Sequence, residues 1–260
     1  MKNTLGLTVI TSNFNGEKFI EETIKSVLGQ TDTDFEYILY DALSNDNSRN
    51  IIEKYRDQIN IIRYQKDNGL YDALSQAINI ASGDIIIWIN SDDLLDKDAV
   101  RNVKRVFNAD RSIQWINGKN GYIKKNIKFS FIPYIYPNFI IKNGYAHHSY
   151  WGYIQQESVA FKKSLYLQTK GFRFQNTNRA GDYFLWRDFS NLTKLETYNI
   201  PIGYFRSWRG QSTNIFRNEY NLSTGKIFLP FSFRYLRLII SILFYPIIIL
   251  KTYLLLNKNR

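Results

Sequence analysis

The chain has 260 residues, 44% hydrophobic and 22% charged, enough for one large domain or a domain with an appendage. It has no cysteine, which excludes a disulfide framework and a thiolate metal site and suits a reducing compartment. The net charge of +11 is uneven: residues 1–118 hold 13 Lys and Arg against 18 Asp and Glu, a net of −5, whereas residues 119–260 hold 21 against 5, a net of +16. A basic half suits anionic lipid, a phosphorylated substrate or nucleic acid, or is simply a solvated surface. The opening MKNTLGLTVITS has too short an apolar run for a signal peptide and goes straight into a strand pattern.

Residues 5–12 (LGLTVITS) predict a first strand that runs into the polar loop Asn13-Phe14-Asn15-Gly16. Phe19, Ile20, Ile24, Val27 and Leu28 fall on one helical face, predicting an amphipathic helix over 17–28. Residues 35–40 predict a second strand ending at Asp41. Ser44-Asn45-Asp46-Asn47-Ser48 has turn and cap chemistry, and Ser48 starts a helix reaching about Tyr55. A third strand over 59–64 turns at Lys66-Asp67-Asn68-Gly69. Leu70, Ala73, Leu74, Ala77, Ile78 and Ala81 mark the next helix, which Gly83 ends.

The stretch DIIIWINSDDLLD at 84–96 follows. Ile85 to Ile89 has no polar alternation, as expected of a strand covered on both faces. It delivers Asp92 and Asp93 to the strand's end. Adjacent carboxylates there are costly unless a positive group shares the space. A divalent cation bridging to a phosphate suits them, because Mg²⁺ and Mn²⁺ take hard oxygen ligands. The structural alternative is that Ser91 or Asp92 caps a following helix.

Strands alternating with helices predict an α/β fold with a mostly parallel, doubly covered sheet. Ligands of such sheets bind beyond the carboxyl ends of the strands. Thr11 and Asn15, Asp41, Asp67, and Asp92 with Asp93 follow the four strands in turn. Any one of them alone reads as a cap or an Asx-turn, but the fold brings all of them to one rim. Neither G-x-G-x-x-G nor G-x-x-x-x-G-K-[ST] occurs, which disfavours a dinucleotide cofactor and a P-loop. A nucleotide held by carboxylates and a metal remains.

TSNFNG at 11–16, EETIKSVLGQT at 21–31, YDALSNDNS at 40–48, KDNGLYDALSQAI at 66–78, ASGDIIIWINSDD at 81–93 and AGDYFLW at 180–186 occur in this order. Over about residues 5–215 this series resembles the family-2 glycosyltransferases of GT-A fold, of the inverting, bacterial surface-polysaccharide type. The resemblance implies a Rossmann-like sheet and transfer of a hexosyl or N-acetylhexosaminyl group from a nucleotide-sugar, usually a UDP-sugar, with Mg²⁺ or Mn²⁺. It implies that Thr11, Phe14 and Asp41 hold the nucleobase end, with Asn15 in the same loop and Asp67 bordering the base. Asp92 faces the ribose or sugar, and Asp93 ligates the metal on the diphosphate. Three departures stand out. Ser91 precedes the acid pair where many members have a third acid, Phe14 replaces a frequent Tyr, and Trp208 stands where a His near the metal is frequent.

In the second half, residues 113–119 predict another strand, 119–128 a basic hairpin, and 129–152 an irregular aromatic stretch suited to the acceptor. It contains His147-His148, whose side chains pack or, less naturally for neighbours that diverge, bind metal. A strand over 158–161 and a short helix over 164–169 follow. Asp182 opens a helix with Tyr183, Leu185, Trp186 and Phe189, where a carboxylate complements the helix dipole. The resemblance gives Asp182 a second role, as the general base that takes the acceptor hydroxyl proton. Glu157 is the reserve candidate.

The tail over 231–256 is borderline for a membrane span, with 13 uncharged residues from Leu238 to Leu250 before Lys251. Pro246 and Lys251 predict a bent pair of helices lying on a membrane surface, its basic flanks favouring anionic lipid. The expected organisation is a donor-binding half over 1–118, an acceptor-binding half over 119–225 and a membrane-associating tail over 226–260. The expected setting is cytoplasmic, peripheral at the inner face of the membrane, with a glycan or lipid-linked acceptor. Rival classes are a nucleotidyltransferase, which wants a Gly-rich phosphate loop, and a glycoside hydrolase, which needs no nucleotide. A nucleic-acid or anion binder is the third, and the acidic rim opposes it, so no nucleic-acid partner is expected.

Overall fold

The computed structural model describes residues 4–124, 127–147, 150–169, 180–208, 217–225 and 233–257. Its centre is β4 (Ile85–Asn90), buried except at its last residue. β4 lies parallel to β1 (Leu7–Asn13), β1 to β2 (Glu36–Asp41), and β2 to β3 (Ile61–Tyr64). On the other side β9 (Val159–Lys162) runs antiparallel between β4 and β6 (Trp115–Asn117), and β10 (Glu196–Thr197) forms the edge. The strand order is β10-β6-β9-β4-β1-β2-β3.

Both faces of this sheet are covered, and successive strand residues alternate between two cores. Ile10, Ile38 and Ile86 join the core beneath α3 (Leu70–Ile80) and α7 (Gly181–Leu192), with Trp115, Trp186 and Phe189. Val9, Leu39 and Ile87 join the core beneath α1 (Ile20–Leu28), α2 (Ser48–Glu53) and α4 (Ala99–Ala109). Each fully buried Ile contributes roughly 1.5–3 kcal/mol.

A second sheet has the order β5 (Leu94–Leu95), β11 (Gly203–Arg206), β7 (Asn120–Lys124) and β8 (Ile127–Phe131). β5 follows the acid pair directly and lies antiparallel to β11. That pairing carries Arg206 from far along the chain to Asp92 and Asp93. It also answers the capping alternative, because the acid pair leads into a strand and the next helix starts only at Ala99.

The expected hairpin over 119–128 is the antiparallel β7–β8 pair. Among the described residues of this half, shorter helices are α5 (Asn138–Lys142), α6 (Lys163–Gln168) and α8 (Arg217–Thr224). The first helix starts later than its apolar pattern suggests. Gly16 O accepts the N–H groups of both Phe19 and Ile20, so the stretch before Ile20 is a turn. The tail is a single helix, α9 (Arg234–Asn257), with Pro246 inside it rather than a bent pair. Packing on either side of the proline, at buried Ser241 and Ile248, holds the two halves in one line. The rest of the predicted tail lies outside the described residues.

Candidate functional site

Two clusters of polar side chains form at the carboxyl ends of the central strands. The first joins the loops after β1 and β2. Asp41 is buried, and its Oδ2 accepts from Asn13 Nδ2 at 2.6 Å and from Ser44 Oγ at 2.7 Å. Its Oδ1 accepts from the Ser44 amide at 2.8 Å. Asn15 has a positive φ of 52°, which an Asn tolerates, and its Oδ1 accepts from the Asn45 amide. Its own amide donates to Ser44 Oγ. These bonds fix the two loops against each other and leave the Phe14 ring 64% exposed beside them.

Asp67 lies close enough to Asp41 to feel its charge. Burial, chiefly, pushes the Asp67 carboxyl up, against the Gly69 amide that donates to it. Thr11 differs from its neighbours. Its side chain is fully buried and hydrogen-bonded to the Tyr37 hydroxyl, so it supports the strand from inside. Of the residues the resemblance sets at the nucleobase end, Thr11 is thus the most enclosed.

The second cluster gathers Asp92, Asp93, Glu157 and Asp182. Asp93 is 0% exposed. Its Oδ1 accepts from the Arg206 amide at 2.7 Å, and its Oδ2 from Asn90 Nδ2 at 3.3 Å. It shares a hydrogen bond with the buried Glu157. Burial holds Asp93 well above the ordinary carboxylate range, and the Glu157 charge adds to it. Burial likewise lifts Glu157 to about 7. Asp92 is only half-buried; burial raises it, against the Trp208 Nε1–H that donates to its Oδ2 at 2.9 Å. Asp93, the metal ligand that the resemblance implies, is thus the more enclosed of the pair. The Asp93 carboxyl is committed to the β11 backbone, and Asp92 keeps the accessible one.

Arg206 is the positive charge in this cluster. It is buried, donates through Nε to the Asp92 carbonyl at 2.7 Å and pairs through Nη2 with Glu22 at 2.7 Å. Trp208 stands where an imidazole was sought. Its indole N–H can only donate, so it orients Asp92 and cannot ligate a metal.

Asp182 is half-buried in the first turn of α7. Tyr71, at the start of α3, donates its hydroxyl to Asp182 Oδ1 at 3.1 Å. Burial raises the Asp182 carboxyl, against the Tyr183 amide and Tyr71. Gly181 makes this contact possible, because a Cβ there would sit 2.6 Å from the Tyr71 ring. Tyr220 of α8 also lies near enough for the Asp182 charge to disfavour its ionisation. His147 is buried against this wall: it stacks on Tyr220 at 5.4 Å and its Nε2 meets Thr224 Oγ1 at 3.1 Å. It therefore packs, while His148 lies outside the described residues.

Every sequence-predicted carboxylate thus falls in one of two groups: Asp41 with Asp67, and Asp92 with Asp93 and Asp182. Asn13, Ser44, Tyr71 and Arg206 are site residues that sequence reasoning missed. Only the Asn and Ser signs were visible in advance, as ordinary turn residues.

The donor set fits a hard divalent cation in part. The carboxyls offer oxygen donors, and Asp92 is the more exposed of the pair. Among the described residues no three Asp, Glu or His groups stand close enough to hold a metal unaided. Substrate phosphates commonly supply the rest of a Mg²⁺ shell.

Two predictions arise here. Glu157→Gln is expected to stabilise the protein by about 3 kcal/mol at pH 8 and to change it little at pH 4.5. The sign follows from a folded-state value above the unfolded one: the stability Glu157 contributes is present at low pH and is lost as pH rises through about 7. Thermal melts at the two pH values check it. Tyr71→Phe removes a donor that favours the Asp182 anion. Loss of that donor is expected to raise the pH at which the Asp182 carboxyl titrates, as read by carboxyl NMR.

The profile of the family described as "Glycosyl transferase family 2" matches residues 8–165. A teichuronic acid biosynthesis glycosyltransferase of Bacillus subtilis, named as putative, is 32% identical over 95 residues, 35% of this chain and 38% of that protein. Chondroitin synthase of Escherichia coli is 26% identical over 214 residues, 78% of this chain and 29% of that protein. The chain thus spans well under half the length of these curated relatives. Among solved structures, Staphylococcus aureus TarS in complex with UDP-GlcNAc superposes with a TM-score of 0.65 at 17% identity, covering 80% of this chain and 60% of that one. A Pyrobaculum calidifontis mannosyltransferase with GDP-Man and Mn²⁺ gives 0.60 at 17%, covering 84% and 61%. These structures share the fold, with its GT-A sheet and its helices. The family match runs from β1 through the acid pair into α6, more than half of the sequence, and the chain belongs to glycosyl transferase family 2.

Proposed function

We propose that the chain transfers a hexosyl or N-acetylhexosaminyl group, with inversion, from a UDP-sugar to a hydroxyl of a surface-polymer acceptor. The observation that carries this reading is the convergence of Asp182, from α7, with Asp92 and Asp93, from the end of β4, around Glu157. In this reading one carboxylate serves the acceptor side and the pair serves the donor side of a single rim. The first cluster suits the nucleobase. The exposed Phe14 ring offers a stacking face, and Asp41 offers acceptors for a ring N–H once Asn13 and Ser44 yield to the ligand. Asn15 shapes that loop, and Asp67 borders it.

In the transfer, the acceptor oxygen bonds to the anomeric carbon as the bond from that carbon to the diphosphate oxygen breaks. Asp182 takes the acceptor proton, and Tyr71 holds its carboxylate in place. Asp92 is the residue that would hold a divalent cation, with Asp93 behind it fixing β11. When bound, the cation stabilises the negative charge that gathers on the leaving diphosphate.

Support for a UDP-linked donor comes from TarS, solved with UDP-GlcNAc and described as a poly(ribitol-phosphate) β-N-acetylglucosaminyltransferase. Support for a cation comes from the mannosyltransferase solved with Mn²⁺. Calorimetric titration of UDP and GDP, each with and without Mn²⁺, tests the donor. Mn²⁺-dependent UDP binding is expected; GDP binding in its place moves the donor class, and binding of neither overturns the reading.

A further inference from the structure

α9 is amphipathic in an inverted sense. Its polar side chains face the protein. Ser241 Oγ accepts from the Ile135 amide at 3.0 Å, and Thr252 Oγ1 from the Asn199 amide at 2.9 Å. Arg237 donates to the Tyr136 hydroxyl at 3.0 Å, and Lys251 pairs with Glu196 of β10. Near the last turn, Arg105 of α4 reaches the Leu256 carbonyl. Ile240 packs on one core and Leu255 and Leu256 on the other, so the helix straps the β10 edge of the seven-stranded sheet.

Its apolar side chains face outward. Leu236, Leu243, Ile247, Leu250 and Leu254 recur at helical spacing, and all five are exposed, Leu243 by 68% and Ile247 by 59%. The stripe runs along a helix about 36 Å long. Soluble monomers do not leave a patch of that extent uncovered without a partner.

We propose that this face is a monotopic membrane anchor. The helix lies flat in the interfacial zone of an anionic bilayer, with its polar side on the domain and its apolar side in the acyl boundary. Three observations favour lipid over other occupants. Residues 226–260 hold six Lys and Arg and no Asp or Glu, which complements an anionic headgroup layer. Tyr235 and Tyr253, near the two ends, are exposed where amphipathic rings anchor at an interface. Lys194 adds a further exposed cation beside the Glu196–Lys251 pair. A spanning arrangement is opposed by the polar ties, which run the length of the helix. Crossing the bilayer would break all of them and place Arg237 and Lys251 in hydrocarbon.

The test uses the full chain and vesicles of phosphatidylcholine and phosphatidylglycerol in equal parts. Wild type is expected to float with these vesicles, and Leu243→Glu/Ile247→Glu to show about a tenfold lower floated fraction with an unchanged melting temperature. The cysteine-free sequence permits a clean topology probe, Asn257→Cys with a membrane-impermeant maleimide. Labelling without detergent is expected; labelling only after detergent means a spanning helix and overturns the proposal. So does wild type that stays at the bottom of the gradient, or a double variant that floats equally. A solution dimer that the double variant dissolves, with no vesicle binding by wild type, assigns the face to a second copy and also overturns it. UDP binding by the same samples is read separately, so the donor assignment and the anchor can each fail alone.

Discussion

Asp182→Asn is expected to leave UDP binding unchanged and to slow sugar transfer by roughly a thousandfold, within the range of a lost general base. Asn has the shape of Asp and keeps an oxygen for the Tyr71 hydroxyl, so the start of α7 and the aromatic wall stay in place. What it loses is the capacity to accept the acceptor proton. Burial raises the Asp182 carboxyl, which makes it a stronger base than an exposed Asp. If Asp182 is the base, the wild-type rate is expected to fall as pH drops through that raised value, because the protonated acid cannot act as a base. The competing account of Asp182 is the helix dipole. An Asp that served only the dipole would cost about 0.3–1 kcal/mol of stability on replacement and leave the rate alone. Stability and single-turnover transfer, measured on the same variant, separate the two. Transfer at the wild-type rate would remove Asp182 as the base and turn attention to Glu157, a buried carboxyl of the same cluster with a raised value.

The parallel half of the fold was legible because each strand and helix there announces itself locally. IIIWI reads as a buried strand, and the apolar spacing of 70–81 as a helix packed on it, and both are found. The positions of the carboxylates followed from the same logic, since a parallel sheet carries all its strand ends to one rim. What the sequence hid is non-local. The two-residue β5 is too short to signal itself, yet its pairing with β11 delivers Arg206 to the acid pair. The opposite exposures of Asp92 and Asp93 depend on that pairing and on no local pattern. The burial of Thr11 is hidden for a related reason: alternation along β1 turns its side chain into the core, where the hydroxyl of Tyr37 satisfies it. Tyr71 looked like one more residue of an apolar helix, because its partner Asp182 is 111 residues away. The tail misled by its proline. Breaking a helix at Pro246 is the ordinary expectation, but contacts at Arg237, Ser241, Lys251 and Thr252 hold both halves to one surface.

Asp92→Asn is expected to remove the Mn²⁺-dependent part of UDP binding, a loss of about a hundredfold in affinity or about 3 kcal/mol. Asp93→Asn is expected to act more mildly, by about tenfold, as residues that orient a ligand from behind do. The reasoning is geometric. Both Asp93 oxygens already take protein donors, whereas Asp92 keeps accessible surface and has one oxygen aimed by Trp208. The two variants also part in stability. Asp93 and Glu157 are buried carboxyls that share a hydrogen bond, and ionising both without a cation is costly. Asp93→Asn relieves that cost, so its melting temperature is expected to rise at pH 8, as that of Glu157→Gln does. Asp92→Asn, at a half-exposed position, is expected to melt like wild type. Addition of Mn²⁺ and UDP should then raise the wild-type melting temperature more at pH 8 than at pH 5, because bound cation favours the ionised carboxyls. If Asp93→Asn abolishes cation-dependent binding and Asp92→Asn preserves it, the inward carboxyl turns outward when donor binds, and the roles assigned to the pair are exchanged.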